Sequence, residues 1–174
     1  MKKKKFPQYD SVGEFSEGLA EAEKDNLYFH ILPNGQPAYS ERFDDVGRFS
    51  QGLAPANRDG KWFHIKKDGF PAYETRYDWV DIFSEELARA LLKGKEFHIN
   101  MDGSPAYKER YDSVGVFNDG LATARIDKKE FHILKSGLPA YKERYVWVQP
   151  FYKGLAIVHK NSKEFYINQY GKKI

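Results

Sequence analysis

Apolar residues recur along this chain in short alternating runs broken by polar turns. One stretch reads Gly52-Leu53-Ala54-Pro55-Ala56, a turn at Asp59-Gly60, Lys61-Trp62-Phe63-His64-Ile65, a second turn at Asp68-Gly69, then Phe70-Pro71-Ala72-Tyr73 on to Tyr77. Phe63 and Ile65 are two apart, so they share one face of an extended strand and His64 points to the other. The pattern predicts three short strands, over 52–56, 61–65 and 70–77, joined by tight turns. Residues 46–49 read as a fourth short strand or a helical turn.

The whole pattern repeats every 34 residues. Copies start at Tyr9, Phe43, Tyr77, Tyr111 and Tyr145 without an insertion, and the last stops early, at Ile174. Seven positions hold one residue in all five copies, the sets that open with Val12, Phe15, Leu19, Ala20, Phe29, Ile31 and Gly35. Paired helices can have the same period, but the two turns per copy and the prolines at 37, 71, 105 and 139 leave no room for two helices. Copy three is the least regular, because Phe83 to Lys93 lacks Gly and is rich in helix formers. Small residues alternate along one strand face (Ala20 and Ala22, Ala54 and Ala56, Ala88 and Ala90, Ala122 and Ala124), which lets another backbone approach closely.

The last copy stops after the position of Ala38, and Lys5 occupies the position of Tyr39. Pairing of residues 6–10 beside the end of the chain would close the array and hide its strand edges. The expectation is an all-β fold of five repeats, each of three to four short strands, forming a closed five-bladed propeller-like toroid. An open β-solenoid or superhelix is the alternative. Residues 5–174 then form a single repeat domain behind a basic, disordered tail, residues 1–4.

Composition narrows the function classes. The 174 residues are 41% hydrophobic and 16% aromatic, enough for a globular core. With 30% charged residues and no apolar run near the roughly 18 residues of a membrane helix, the chain is not expected to enter a membrane. Basic residues exceed acidic ones by three, and four of the basic residues are Lys2 to Lys5. Nucleic acid is therefore a weak expectation. There is no Cys, hence no disulfide and no thiolate nucleophile or metal ligand. No apolar signal core follows Lys5, so a cytoplasmic location is expected.

Gly52-Leu53-Ala54 through Asp59-Gly60-Lys61-Trp62, with Ile65 and Gly69, resembles the bacterial WG-repeat (KWG) family, as does Tyr77-Asp78-Trp79-Val80 through Phe83-Ser84-Glu85. The likeness covers nearly the whole chain. One departure is plain: Phe follows Trp62 where the family name calls for Gly, and the family's Gly-Tyr-Ile is Phe-His-Ile in four copies and Phe165-Tyr166-Ile167 in the fifth. The resemblance implies a β-rich repeat array that mediates interactions, and it brings no catalytic residues.

His30, His64, His98 and His132 recur in register and invite a metal or a shared titration, but Tyr166 fills the fifth place, so a ring with a polar tip is the requirement there and no metal is expected. Arg42 and Asp44, Arg76 and Asp78, and Arg110 and Asp112 are spaced for ion pairs on a strand face. Three copies of an acid and base pair point to scaffold, since an active site needs one asymmetric arrangement. Aromatics that vary between copies are the better binding candidates, because the repeat does not demand them: Trp62 and Tyr28 at one position, Trp79 and Trp147 at another. The leading expectation is a non-enzymatic scaffold that binds protein, without a cofactor. A carbohydrate-binding module that stacks sugars on these aromatics is a second. A glycosidase or lyase on a propeller-like frame is a third, and it would need an acidic pair in a deep pocket.

Overall fold

The computed structural model describes residues 6–174, and the expected basic tail, residues 1–4, lies outside them. The described chain is all-β, with five three-stranded antiparallel sheets, one per repeat, their strands in chain order. The first repeat contributes β1 (Ser11–Val12), β2 (Ala20–Lys24) and β3 (Leu27–Ile31). The second contributes β4 (Asp45–Val46), β5 (Ala54–Arg58) and β6 (Lys61–Ile65). In the third lie β7 (Trp79–Val80), β8 (Ala88–Leu92) and β9 (Lys95–Ile99). The fourth has β10 (Ser113–Val114), β11 (Ala122–Ile126) and β12 (Lys129–Ile133), and the fifth β13 (Trp147–Val148), β14 (Leu155–Lys160) and β15 (Lys163–Asn168).

Two of the three expected strands form, and the third strand of each sheet is a different segment. Residues 70–77 are bends, held by single bridges from Pro71 to Ile65 and from Tyr77 to Trp62. Pro71 has no N–H to donate to a ladder, and the following residues turn the chain toward the next repeat. The outer strand is instead the short segment at Val46, so the strand alternative for that stretch is the one adopted.

Register repeats from sheet to sheet. Val12 faces Ala22 and Ala22 faces Phe29; Val46 faces Ala56 and Ala56 faces Phe63; Val114 faces Ala124 and Ala124 faces Phe131. The small residues therefore lie on the central strand, between a valine and a phenylalanine, and all are buried. The hairpin turns at Asp25-Asn26, Asp59-Gly60 and Asp127-Lys128 have positive φ at both residues, the conformation that matches strand twist in a two-residue loop. In each, the side chain of an upstream Asp accepts the first turn N–H: Asp10 from Asp25, Asp44 from Asp59, Asp112 from Asp127. This is the physical content of the recurring Tyr-Asp pair.

The arginines expected to pair with those aspartates do other work. Arg42 Nη1 donates to the carbonyls of Tyr39, Ser40 and Glu41, and its guanidinium lies 3.8 Å above the Phe29 ring. Arg76, Arg110 and Arg144 repeat both features, over Phe63, Phe97 and Phe131. Arg144 is thus satisfied although Val146 stands where other copies have Asp.

The described residues group into two compact units. The first runs to Glu86 and adds Met101–Gly103; the second comprises Leu87–Asn100 and Ser104–Ile174. In the third repeat Glu85 and Glu86 have φ of 50° and 68°, at the place where Glu17-Gly18 and Gln51-Gly52 stand in earlier copies. A side chain in the left-handed region costs roughly 1 kcal/mol or more. Glu86→Gly is expected to stabilise the protein by about 1 kcal/mol, read as a rise of roughly 2–4 °C in the melting temperature. An unchanged or lowered melting temperature would contradict this origin of the irregular copy.

Candidate interaction surface

The four in-register histidines are fully buried, and each joins two consecutive repeats. His30 Nδ1 lies 2.5 Å from Tyr39 Oη, and Nε2 lies 3.0 Å from the Gly47 carbonyl in the next repeat. A carbonyl can only accept, so Nε2 carries the proton and Nδ1 accepts from the tyrosine hydroxyl. His64 joins Tyr73 to the Asp81 carbonyl, His98 joins Tyr107 to Gly115, and His132 joins Tyr141 to Gln149. Each imidazole also packs on the invariant phenylalanine of the next repeat, His30 on Phe49 at 4.6 Å and His64 on Phe83 at 4.5 Å.

Burial pushes all four imidazoles down to about 4, against the partial compensation of the carbonyl contact. Burial raises the partner tyrosines. Both ring nitrogens are spent on structure, one ring per junction. Among the described residues no group of three His, Asp or Glu side chains is placed to hold a metal ion.

Neighbouring repeats are also sewn through their backbones. Tyr28 and Phe43 exchange two hydrogen bonds of 2.9 and 3.0 Å, and Trp62 and Tyr77 do the same at 3.0 and 2.9 Å. Ser16 Oγ and Ser50 Oγ donate to the Phe49 and Phe83 carbonyls of the following repeat. These serines were not singled out from the sequence, because a lone hydroxyl in a polar turn carries no signal until its acceptor, 33 residues away, is known.

On this frame the variable aromatics lie at the surface. Trp62 is half-buried on β6, across from Asn57, and its backbone pairs with Tyr77. Trp79, also half-buried, follows Tyr77 by two residues, so the backbone brings Trp62 and Trp79 to adjoining positions. Where glutamate replaces Trp62, its carboxylate accepts from the N–H that follows the Trp79 position, Glu96 from Val114 at 2.9 Å and Glu130 from Val148 at 3.0 Å. Tyr28 is not part of that pair. It faces Glu23 across the hairpin, whose charge raises the phenol, and it borders a shallow recess of about 280 Å³ with Glu21 and Asp45. Burial and Asp45 raise the Glu21 carboxyl, and Arg48 works against them. Trp147 belongs to the second unit, on β13 across from His159.

The WG-containing repeat model matches residues 7–28, 33–62, 99–129 and 144–163, well over half of the chain. The chain is a WG-repeat protein. The longest unmatched stretch inside it, residues 63–98, takes in most of the irregular third copy, which nevertheless forms the same strands as its neighbours.

No curated protein matches the WG-repeat chain in sequence. Among solved structures it is similar to BamB from Moraxella catarrhalis, at 12% identity over 94% of this chain and 59% of that one, with a TM-score of 0.54. It is similar also to Hsv2 from Kluyvelomyces marxianus, at 8% identity over 96% and 62%, with a TM-score of 0.61. The chain spans less than two thirds of the length of either. At such identity the likeness concerns the fold, which is that of β-propeller proteins. No helix among the described residues is long and apolar enough to cross a membrane.

Proposed function

We propose that this WG-repeat protein is a binding scaffold that engages a protein partner through the surface around Trp62 and Trp79. The observation that carries the reading is the division of the aromatic residues. Nearly every ring that recurs in all copies is buried in the frame, while Trp62 and Trp79, which the repeat does not require, are half-buried, Trp79 two residues beyond the backbone partner of Trp62. Half-exposed tryptophans supply large, rigid contact area at small entropic cost. The recurring titratable groups inside the frame are consumed by structural hydrogen bonds, which leaves binding as the task the surface can perform.

The test is affinity purification from the native lysate with the wild type and with the double variant W62A/W79A, once circular dichroism shows the variant folded. A protein retained by the wild type and lost at least tenfold in the double variant supports the reading. The same retained proteins with both forms would remove it. A glycan array run on both forms distinguishes the carbohydrate reading: a glycan held by the wild type and released by the double variant would replace a protein partner with a sugar.

A further inference from the structure

An aspartate stands at the second position of four repeats, Asp10, Asp44, Asp78 and Asp112, and Val146 replaces it in the fifth. Asp112 shows what the carboxylate does. Its Oδ2 accepts the Asp127 N–H at 3.0 Å, in the hairpin turn of its own repeat, and its Oδ1 accepts from Lys95 Nζ at 2.7 Å, in the repeat before. The Lys95 ammonium, helped by the Asp127 N–H, holds the carboxyl below its ordinary value. Asp78 binds Lys61 Nζ at 2.8 Å, and Asp10 and Asp44 accept the turn N–H groups of Asp25 and Asp59.

The fifth copy keeps both donors and lacks the acceptor. Tyr145 and Glu130 exchange two hydrogen bonds of 3.0 Å, which brings Val146 level with Lys129, the counterpart of Lys95. Asn161 opens the β14–β15 turn as Asp127 opens the β11–β12 turn. Among the described residues neither Lys129 Nζ nor the Asn161 N–H has a bonding partner.

The surroundings are apolar and basic. Ile126 faces Lys129 across the hairpin, Trp147 follows Val146, and all three apolar side chains are exposed. Lys128 adds a charge in a left-handed conformation, φ of 62°, which Gly60 and Gly94 adopt without strain in their own turns. The second unit, Leu87–Asn100 with Ser104–Ile174, holds sixteen basic residues against eight acidic ones. A surplus of that size draws acidic partners toward it.

We infer that this spot is a further docking site, in which an aspartate or glutamate of a partner protein supplies the carboxylate that Val146 does not. It accepts from Lys129 Nζ and the Asn161 N–H, and an apolar neighbour in the partner packs on Trp147. A carboxylate is favoured over a phosphate because the other copies hold one against the same kinds of donor. The site stands apart from the reading of Trp62 and Trp79, so either can fail alone.

The test is fluorescence anisotropy with a labelled peptide of Glu-Leu-Gly repeats, its Gln-Leu-Gly counterpart and a labelled thymidine oligonucleotide. The wild type is expected to bind the glutamate peptide saturably below about 1 mM, and the peptide to move the Asn161 amide proton downfield in the NMR spectrum. Val146→Asp, which supplies the carboxylate internally, and Lys129→Gln are each expected to weaken binding about tenfold or more, as is glutamine for glutamate in the peptide. Lys142→Gln makes the same charge change elsewhere on the unit and is expected to leave the affinity unchanged. Equal losses in Lys129→Gln and Lys142→Gln would reduce the attraction to net charge and overturn the site. So would an absence of saturable binding, binding unmoved by Val146→Asp, or an oligonucleotide held more tightly than the peptide with the same dependence on Lys129.

Discussion

Acidification below about pH 6.5 is expected to unfold the protein steeply, with up to four protons taken up. The unfolded histidines titrate near 6.5, whereas burial holds His30, His64, His98 and His132 down to about 4 in the folded chain. Above 6.5 both states carry neutral rings, and the junction contribution is fully present. As pH falls from 6.5 toward 4 the unfolded state binds protons that the folded state refuses, and stability is lost at roughly 1.4 kcal/mol per pH unit for each ring. Four rings together cost about 5 kcal/mol per unit, comparable to the whole stability of many domains, about 5–15 kcal/mol. Protonation also defeats the geometry, because a charged imidazole carries a proton at Nδ1 where the tyrosine hydroxyl needs an acceptor. Urea titrations at pH 7.5, 6.5, 5.5 and 4.5 would show it as a falling midpoint. His132→Gln should reduce the slope by one proton. A midpoint unchanged between pH 7.5 and 5 would mean that the rings are not buried as neutral species.

The histidines illustrate how far the sequence could be read. Their recurrence, and their replacement by Tyr166, identified a ring with a polar tip, and each ring does span a tyrosine and a carbonyl. The acceptor carbonyls 17 residues away left no trace, because any residue supplies one: Gly47, Asp81, Gly115 and Gln149 fill the same role. The five sheets followed from period and turns alone. The expected strand over 70–77 failed because alternation in Phe70-Pro71-Ala72-Tyr73 reflects side chains anchored to successive neighbours, Tyr73 to His64 and Arg76 to Phe63, without a ladder between backbones. Arginine and aspartate two residues apart looked like an ion pair, yet a guanidinium with three carbonyls and a phenylalanine face within reach has a better site. Of the four surface aromatics, Trp62 and Trp79 adjoin because the start of one repeat pairs with the last strand of the previous one. That pairing is set by the route of the chain between sheets, which periodicity does not encode.

The invariant glycine offers the sharpest test of how repeats lock together. Gly69 and Gly52 have nearly the same backbone, φ of +83° and +84°. An alanine at either pays the left-handed penalty of about 1 kcal/mol. At Gly52 a Cβ meets nothing within 4 Å, whereas at Gly69 it would lie 2.6 Å from Cγ of the Tyr39 ring and 3.0 Å from Glu41 Oε2. Tyr39 cannot step aside, since its hydroxyl is held by buried His30 and its ring packs edge-on against Phe43. Moving it would break the same junction that sets the acid response. Gly69→Ala is therefore expected to destabilise by about 3–5 kcal/mol, the conformational cost plus overpacking and a loosened buried hydrogen bond. Gly52→Ala should cost only about 1 kcal/mol. Equilibrium urea denaturation of the two variants separates backbone from packing, because their conformational penalties cancel in the comparison. Equal losses would mean that the tyrosine ring yields freely, and the glycine would then be conserved across the five copies for its turn alone.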